Sequence, residues 1–148
     1  MSWESSIKGF KSYLQIERSL AENSVKAYIL DIQKLANYSS QFNLSELNVN
    51  RHNISDFLLT LKENNISARS QARIISAIKA FYKYLIIEDY IKFNPAELIE
   101  SPKIGLKLPD TLSLIEIDKL IASIDLSNNQ GERNRAILET LYSCGLRV

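Results

Sequence analysis

Residues 68–87 read ARSQARIISAIKAFYKYLII and form the longest amphipathic pattern in the chain. A helix turns by about 100° per residue, and at that pitch the large apolar side chains of this stretch share one side. The opposite side carries four cations within an arc of about 120°. The apolar residues are Ile74, Ile75, Ile78, Phe81, Tyr82, Leu85 and Ile86; the cations are Arg69, Arg73, Lys79 and Lys83, with the small Ser76 and Ala80 between them. The pattern predicts a helix with one buried side and one exposed basic side.

Positive charge is concentrated in this stretch. The whole chain has 18 Lys and Arg against 17 Asp and Glu, and its net charge of +1 does not by itself indicate a nucleic-acid ligand. Between Asn64 and Ile87 there are four bases and no acid, which leaves 14 bases against 17 acids elsewhere. A local basic strip of this kind is what binding to a polyanion requires.

The basic side of the predicted helix has groups that could bind a duplex. Arg69 and Arg73 lie near its N-terminus, where the helix dipole and free N–H groups also favour phosphate. An arginine can alternatively bind a guanine edge through two hydrogen bonds. Ser67 and Ser70 can donate to phosphate oxygens nearby. Most charged helix faces are simply solvated, so the spacing alone leaves a surface helix and a DNA-binding helix both open.

The rest of the chain also indicates helices, so we expect an all-α fold. Apolar residues recur at spacings of three and four in several further segments. A polar stretch over 39–50 predicts a connection, and Pro95 is suited to the first turn of a short helix. The predicted helices of the first part cover about 2–16, 19–38, 54–61, 68–87 and 95–100.

A change of composition divides the chain into two domains. Residues 101–112 contain Pro102, Gly105 and Pro109, and this stretch predicts a linker between a first domain over 1–100 and a second over 113–148. Ser113 and Glu116 have the spacing of a capping box at the start of a helix. A loop over 125–131 precedes a last helix of about 132–144, which ends at Gly145, a residue suited to a left-handed cap.

The sequence has no pattern for a metal, a cofactor or a membrane. Cys144 is the only cysteine and His52 the only histidine, so no internal disulfide can form and no cluster has metal-ligand spacing. No apolar run is long enough for a signal peptide or a bilayer span. We therefore expect a cytoplasmic protein with no metal, no cofactor and no small-molecule substrate.

Four segments resemble the tyrosine recombinase (phage integrase) family, specifically its Xer-like branch. They are SLAENSVKAYILDI (19–32), ARSQARIISAIKAFYKYL (68–85), NPAELIESPKIGLKLPDTLSLIEIDKLI (94–121) and ERNRAILETLYSCGLRV (132–148). The resemblance implies that 1–100 is a SAM-like core-binding bundle of four to five helices, whose second and fourth helices address the major groove. The contacts it implies are Ser24, Lys26, Arg69 and Arg73, whereas Lys79 and Lys83 come from helix geometry alone.

The same resemblance assigns the end of the chain to a truncated catalytic domain, represented by its first two helices. Arg147 matches the first catalytic arginine, which stabilises the transition-state phosphate while a tyrosine forms a 3′-phosphotyrosyl link. Asn134 and Cys144 depart from the usual Asp and Thr. The other catalytic residues and the nucleophile would lie beyond Val148, and Tyr28, Tyr82 and Tyr142 lie on apolar stripes typical of a core.

The resemblance thus implies a chain that binds DNA and does no chemistry by itself. The parent protein would cleave and rejoin DNA at a recombination site, as in chromosome dimer resolution or integration, together with other recombinase protomers. A helical protein-interaction module without independent DNA binding stays open as the alternative.

Overall fold

The computed structural model describes residues 2–105 and 110–146, and these residues form six α-helices and no strand. The prediction of an all-α fold is therefore confirmed. The chain divides into two units, Met1–Gly105 and Leu106–Val148. The predicted linker over 101–112 stays a prediction, because residues 106–109 lie outside the described part. The helices are α1 (Trp3–Ile16), α2 (Glu22–Ser40), α3 (Arg51–Glu63), α4 (Ala68–Ile87), α5 (Leu114–Ala122) and α6 (Asn129–Cys144).

Helix α4 supplies the largest share of the first unit's core. It packs against α1, α2 and α3, and it runs beside α2 over much of its length. The predicted apolar side of α4 is buried, apart from Ile86, which is half-buried. Its buried residues are Ile74, Ile75, Ala77, Ile78, Phe81, Tyr82, Tyr84 and Leu85.

Aromatic rings connect α1 to α4. Phe81 lies at the centre, stacked on Trp3 with ring centroids 5.8 Å apart and edge-on to Phe10 at 5.3 Å. Trp3 Nε1 donates to the carbonyl of Leu44, 3.0 Å away, which ties the start of α1 to the loop after α2. Offset and edge-on rings at these distances stabilise a core beyond the area they bury.

The helices of the first unit end in residues with left-handed backbone. Positive φ angles follow α1, α2, α3 and α4 at Ser19, Asn43, Asn65 and Asp89. After α2, α3 and α4, the next N–H donates to the carbonyl five residues earlier, as in Leu44 N to Ser39 O. Asn and Asp adopt this conformation more readily than other non-glycine residues, so the sequence contains its own helix stops.

The predicted short helix over 95–100 is wrong, because this segment is a turn. The side chain of Asn94 explains the difference: its Nδ2 donates to the carbonyl of Lys79 (3.2 Å) and its Oδ1 accepts from the N–H of Ala96 (2.9 Å). An Asn side chain bonded to the backbone in this way offers the chain an alternative to helix. The first unit is therefore a bundle of four α-helices.

The second unit contains α5 and α6, which contact each other. The capping box of Ser113 and Glu116 is confirmed, and so is the left-handed cap at Gly145, with φ of 59°. Helix α6 begins at Asn129, three residues earlier than predicted, because the Asn128 side chain accepts from two N–H groups of its first turn. Tyr142 is half exposed, so its assignment to a core is wrong. Among the described residues of this unit no apolar side chain is buried.

A substitution of Phe81 tests whether the buried aromatic rings stabilise the first unit. Phe81→Ala should lower the free energy of unfolding by about 3–5 kcal/mol, because the ring is fully buried and its removal leaves a cavity. The matched control is Phe93→Ala, since Phe93 is 83% exposed. Urea denaturation should show the control within about 0.5 kcal/mol of the wild-type chain, and equal losses for both variants would contradict this description of the core.

The capping box of α5 should make the stability of this helix depend on pH. The backbone N–H and the hydroxyl of Ser113 both donate to Glu116 and hold the pKa of its carboxyl below the ordinary value. Because the pKa of Glu116 is lower in the folded chain than in the unfolded one, its ionised carboxylate stabilises the fold above the ordinary pKa of Glu. This stabilisation is lost as the pH falls through the lower pKa of the folded chain. Carboxyl ¹³C NMR should show Glu116 titrating low in the wild-type chain and higher in Ser113→Ala.

The matched control is Ser123→Ala at the other end of α5, where the hydroxyl donates to the Leu120 carbonyl. This change should leave the Glu116 titration unaltered. A wild-type Glu116 that titrates at its ordinary value would show that the cap does not form in solution.

Candidate nucleic-acid interface

The four predicted cations of α4 lie on the side of the helix that faces away from the core. Arg69, Arg73 and Lys83 are exposed and Lys79 is half-buried. Between them Ser76 is exposed and Ala80 is half-buried, so the surface is low between the cations. With 1.5 Å of rise per residue, the strip from Arg69 to Lys83 is about 21 Å long. The basic strip is exposed because the opposite side of α4 is buried in the core.

Ser67 and Ser70 shape the N-terminus of this helix. The Ser67 hydroxyl caps α4 by accepting from the N–H of Ser70, and it donates to the Ser70 hydroxyl 3.1 Å away. Ser67 is exposed and Ser70 is half-buried. Both hydroxyls are thus engaged with each other in this structure, at a helix end where the dipole favours an anion.

Arg69 and Arg73 differ in their surroundings although they are one helical turn apart. Within the described residues, Arg69 takes part in no ion pair. Arg73 donates twice to the carboxylate of Asp31 on α2, from Nε to Oδ2 at 2.9 Å and from Nη2 to Oδ1 at 3.1 Å. The stretch from Asn64 to Ile87 contains no acid, and this partner comes from a neighbouring helix.

Sequence reasoning missed Asp31, although one signal for it was available. Asp31 lies at the edge of the apolar stripe of α2, three residues after Tyr28 and four before Leu35, and it is fully buried. A carboxylate beside a core-facing stripe needs a cation from elsewhere in the fold, since an isolated buried charge is strongly unfavourable. Helix spacing could not say which cation that would be.

The first turns of α2 hold the other two predicted contacts. Ser24 and Lys26 are both exposed. Lys26 pairs with Glu22 at 2.7 Å, and both side chains are largely exposed, so the pair contributes little to stability and Lys26 can exchange partners. Ala21 provides no side-chain cap, so no side chain of the N-cap residue occupies the backbone N–H groups of the first turn, where an anion can bind.

A cleft beside the C-terminal half of α4 adds a cation that the sequence did not predict. Arg18, in the turn after α1, lines it together with Lys79 and Lys83. The cleft has a volume of about 490 Å³ and one acid, Glu97, also borders it. Arg18 lies outside any helix, so its position relative to α4 could not be obtained from helical periodicity.

The buried tyrosines of α4 are unsuited to nucleophilic chemistry. Burial raises the pKa of the Tyr82 hydroxyl far above its ordinary range, and the negative charge of Glu46 raises it further. Burial also raises the pKa of Tyr84, with smaller contributions from Glu88 and other neighbours. Both phenols therefore stay protonated and inaccessible.

Comparison with known proteins agrees with this architecture. Residues 7–89, which run from α1 to just beyond the end of α4, match the family described as phage integrase, N-terminal SAM-like domain. The chain belongs to the phage integrase, or tyrosine recombinase, family. The resemblance in the sequence is thereby confirmed, as is the SAM-like nature of the four-helix bundle.

Individual recombinases match almost the whole chain. It is 38% identical over 146 residues to tyrosine recombinase XerD of Staphylococcus haemolyticus, an alignment that covers 98% of the chain and 50% of that relative. It is 39% identical over 143 residues to tyrosine recombinase XerD of Rickettsia conorii, covering 96% and 47% respectively. The chain thus spans about half the length of these recombinases.

Arg147, the predicted catalytic arginine of the recombinase family, lies outside the described residues.

Within 2–105 and 110–146, no three His, Cys, Asp or Glu side chains are grouped to hold a metal ion. Across those same ranges no helix is both long and apolar enough to cross a bilayer. The candidate site is the basic side of α4 with the cleft that Arg18 borders.

Proposed function

We propose that this chain binds duplex DNA in a sequence-dependent manner, as the N-terminal part of a site-specific tyrosine recombinase. The observation that carries the proposal is the outward basic side of α4. Its cations are fixed outward by the packed core, and they span about 21 Å, which corresponds to about six base-pair steps of 3.4 Å. Such a helix fits the width of the major groove, and the low surface at Ser76 and Ala80 permits close approach.

The surrounding elements support a surface larger than one helix. Ser24 and Lys26 come from the first turns of α2, and Ser67, Arg69 and Ser70 from the start of α4. Hydroxyl and backbone donors of this kind contact phosphate oxygens, and they set the position of a protein on a duplex. Lys79, Lys83 and Arg18 would neutralise further phosphates, because the cleft places three cations together.

The activity of the whole recombinase is a further part of the proposal. The parent would cut and rejoin DNA strands through a 3′-phosphotyrosine, with Arg147 stabilising the charge of the phosphate in the transition state. It would act with other recombinase protomers at one recombination site in the cytoplasm. The present chain would contribute binding only, since none of its seven tyrosines matches the position of the family's nucleophile and Arg147 cannot cleave a phosphodiester alone.

A second candidate function is protein interaction by the bundle. Several large apolar side chains of the first unit are more than half exposed, and exposed apolar surface marks contact sites in many proteins. They are Ile16, Leu30, Phe42, Leu59, Phe93 and Leu98. Size-exclusion chromatography with and without a duplex separates the two functions, because only DNA binding shifts the elution of both components together.

The dependence of binding on salt tests the DNA-binding surface. Lys79→Ala, Lys83→Ala and Arg18→Ala should each weaken binding about equally for every duplex sequence. Each should also lower the slope of log K against log salt by about one, because one fewer phosphate is neutralised. Fluorescence anisotropy with labelled duplexes at several salt concentrations measures both quantities.

Lys92→Ala is the matched control, because Lys92 lines a different groove with Val49 and Tyr82. It should leave both the affinity and the salt slope unchanged. Binding that does not depend on salt, or a slope lowered as much by the control as by the other changes, would contradict the proposed surface.

A further inference from the structure

The ion pair between Asp31 and Arg73 is asymmetric in its exposure. The Asp31 carboxylate is completely buried, whereas 47% of the Arg73 side chain is exposed. The carboxylate thus lies inside the unit, whereas the Arg73 side chain lies partly at its surface, on the basic side of α4. A pair that served the packing of α2 against α4 alone would not need to extend to that surface.

The geometry of the pair leaves one end of the guanidinium free for a second partner. Asp31 accepts from Nε and Nη2, which form one edge of the planar group. A guanidinium has five N–H donors, so three remain, two on Nη1 and one on Nη2. Nη1 and Nη2 together can donate two parallel hydrogen bonds, which is the arrangement that binds O6 and N7 of guanine.

The charge around Asp31 favours a base edge over a phosphate as this second partner. Asp31 pairs with both Arg73 and Lys34, so it offsets one of their two positive charges. The attraction of Arg73 for a phosphate is thereby reduced, while its hydrogen-bond directions are kept. The carboxylate also fixes the side chain in one orientation before any ligand arrives, and this preorganisation lowers the entropy lost on binding. Both effects increase discrimination between sequences more than general affinity for DNA.

We propose that Asp31 is a positioning residue for sequence readout, which holds Arg73 so that its free end binds a guanine edge in the major groove. This inference rests on the proposed function, because it needs α4 to lie in a DNA groove. Lys34 also donates to this carboxylate, from Nζ to Oδ1 at 3.4 Å. It has no planar fork to present to a guanine edge, so it is not part of the proposed base contact.

The test compares affinity for two duplexes at one salt concentration. One is selected on the wild-type chain from duplexes with a randomised central segment, and the other has the selected sequence shuffled. Asp31→Asn should reduce the ratio of the two affinities about tenfold, the usual scale for one two-bond contact to a base. Affinity for the shuffled duplex should stay the same or rise, because a negative charge is removed.

Arg73→Lys gives a second measurement that does not depend on the buried carboxylate being replaced. It keeps the positive charge but loses the planar fork, so it should lower the affinity ratio to the same extent. Lys34→Gln is the matched control and should retain the wild-type ratio. A selected duplex with 7-deazaguanine at the contacted position should weaken wild-type binding and leave Arg73→Lys unaffected.

The outcomes separate this inference from the function on which it rests. Binding of neither duplex by the wild-type chain would overturn the proposed function. Wild-type discrimination retained in Asp31→Asn, or in Arg73→Lys, would overturn the positioning role alone. Equal weakening on both duplexes in these variants would also overturn it, since that result indicates a purely structural pair or a phosphate contact.

Discussion

The packing of one side of α4 against α1, α2 and α3 is the constraint on which the rest of this structure depends. Fully buried side chains such as Ile74, Ile78 and Phe81 fix the rotation of the helix about its own axis. Rotating α4 about its axis by about 100°, the angle between successive residues, would move cations toward the core and expose aromatic rings. Both changes are strongly unfavourable. The outward direction of the basic side is therefore a consequence of hydrophobic burial, not of any interaction among the cations.

The surface contributed by α4 is completed by elements that the same core holds in place. Helix α2 packs along α4, and its Asp31 pairs with Arg73 of the basic side. The turn after α1 brings Arg18 to the cleft beside Lys79. Charge from several distant parts of the chain is in this way collected on one unit, although the chain as a whole is nearly neutral. Membership of the tyrosine recombinase family gives this arrangement its functional context.

Helical periodicity in the sequence predicted the α-helices of the first unit, but it did not predict all of the contacts between segments. Periodicity and capping residues were enough for α1 to α4 and for the box at Ser113, because these depend on neighbours within one helix. The turn after Asn94 was missed, since its cause is a hydrogen bond to the carbonyl of Lys79, fifteen residues away. The ion pair of Asp31 with Arg73 was missed for a similar reason: helical spacing assigns a residue to a face, and only the packing of two helices decides what that face meets.

An NMR footprint of a bound duplex tests the proposed DNA-binding surface most directly. Backbone ¹H–¹⁵N spectra of the 148-residue chain would be recorded with increasing amounts of duplex DNA. We expect the largest shifts in the first turns of α2, along the outward side of α4 and near Arg18, with the buried side of α4 little affected. Shifts confined to α3 or to the second unit, or no shift with any duplex, would contradict the proposed surface.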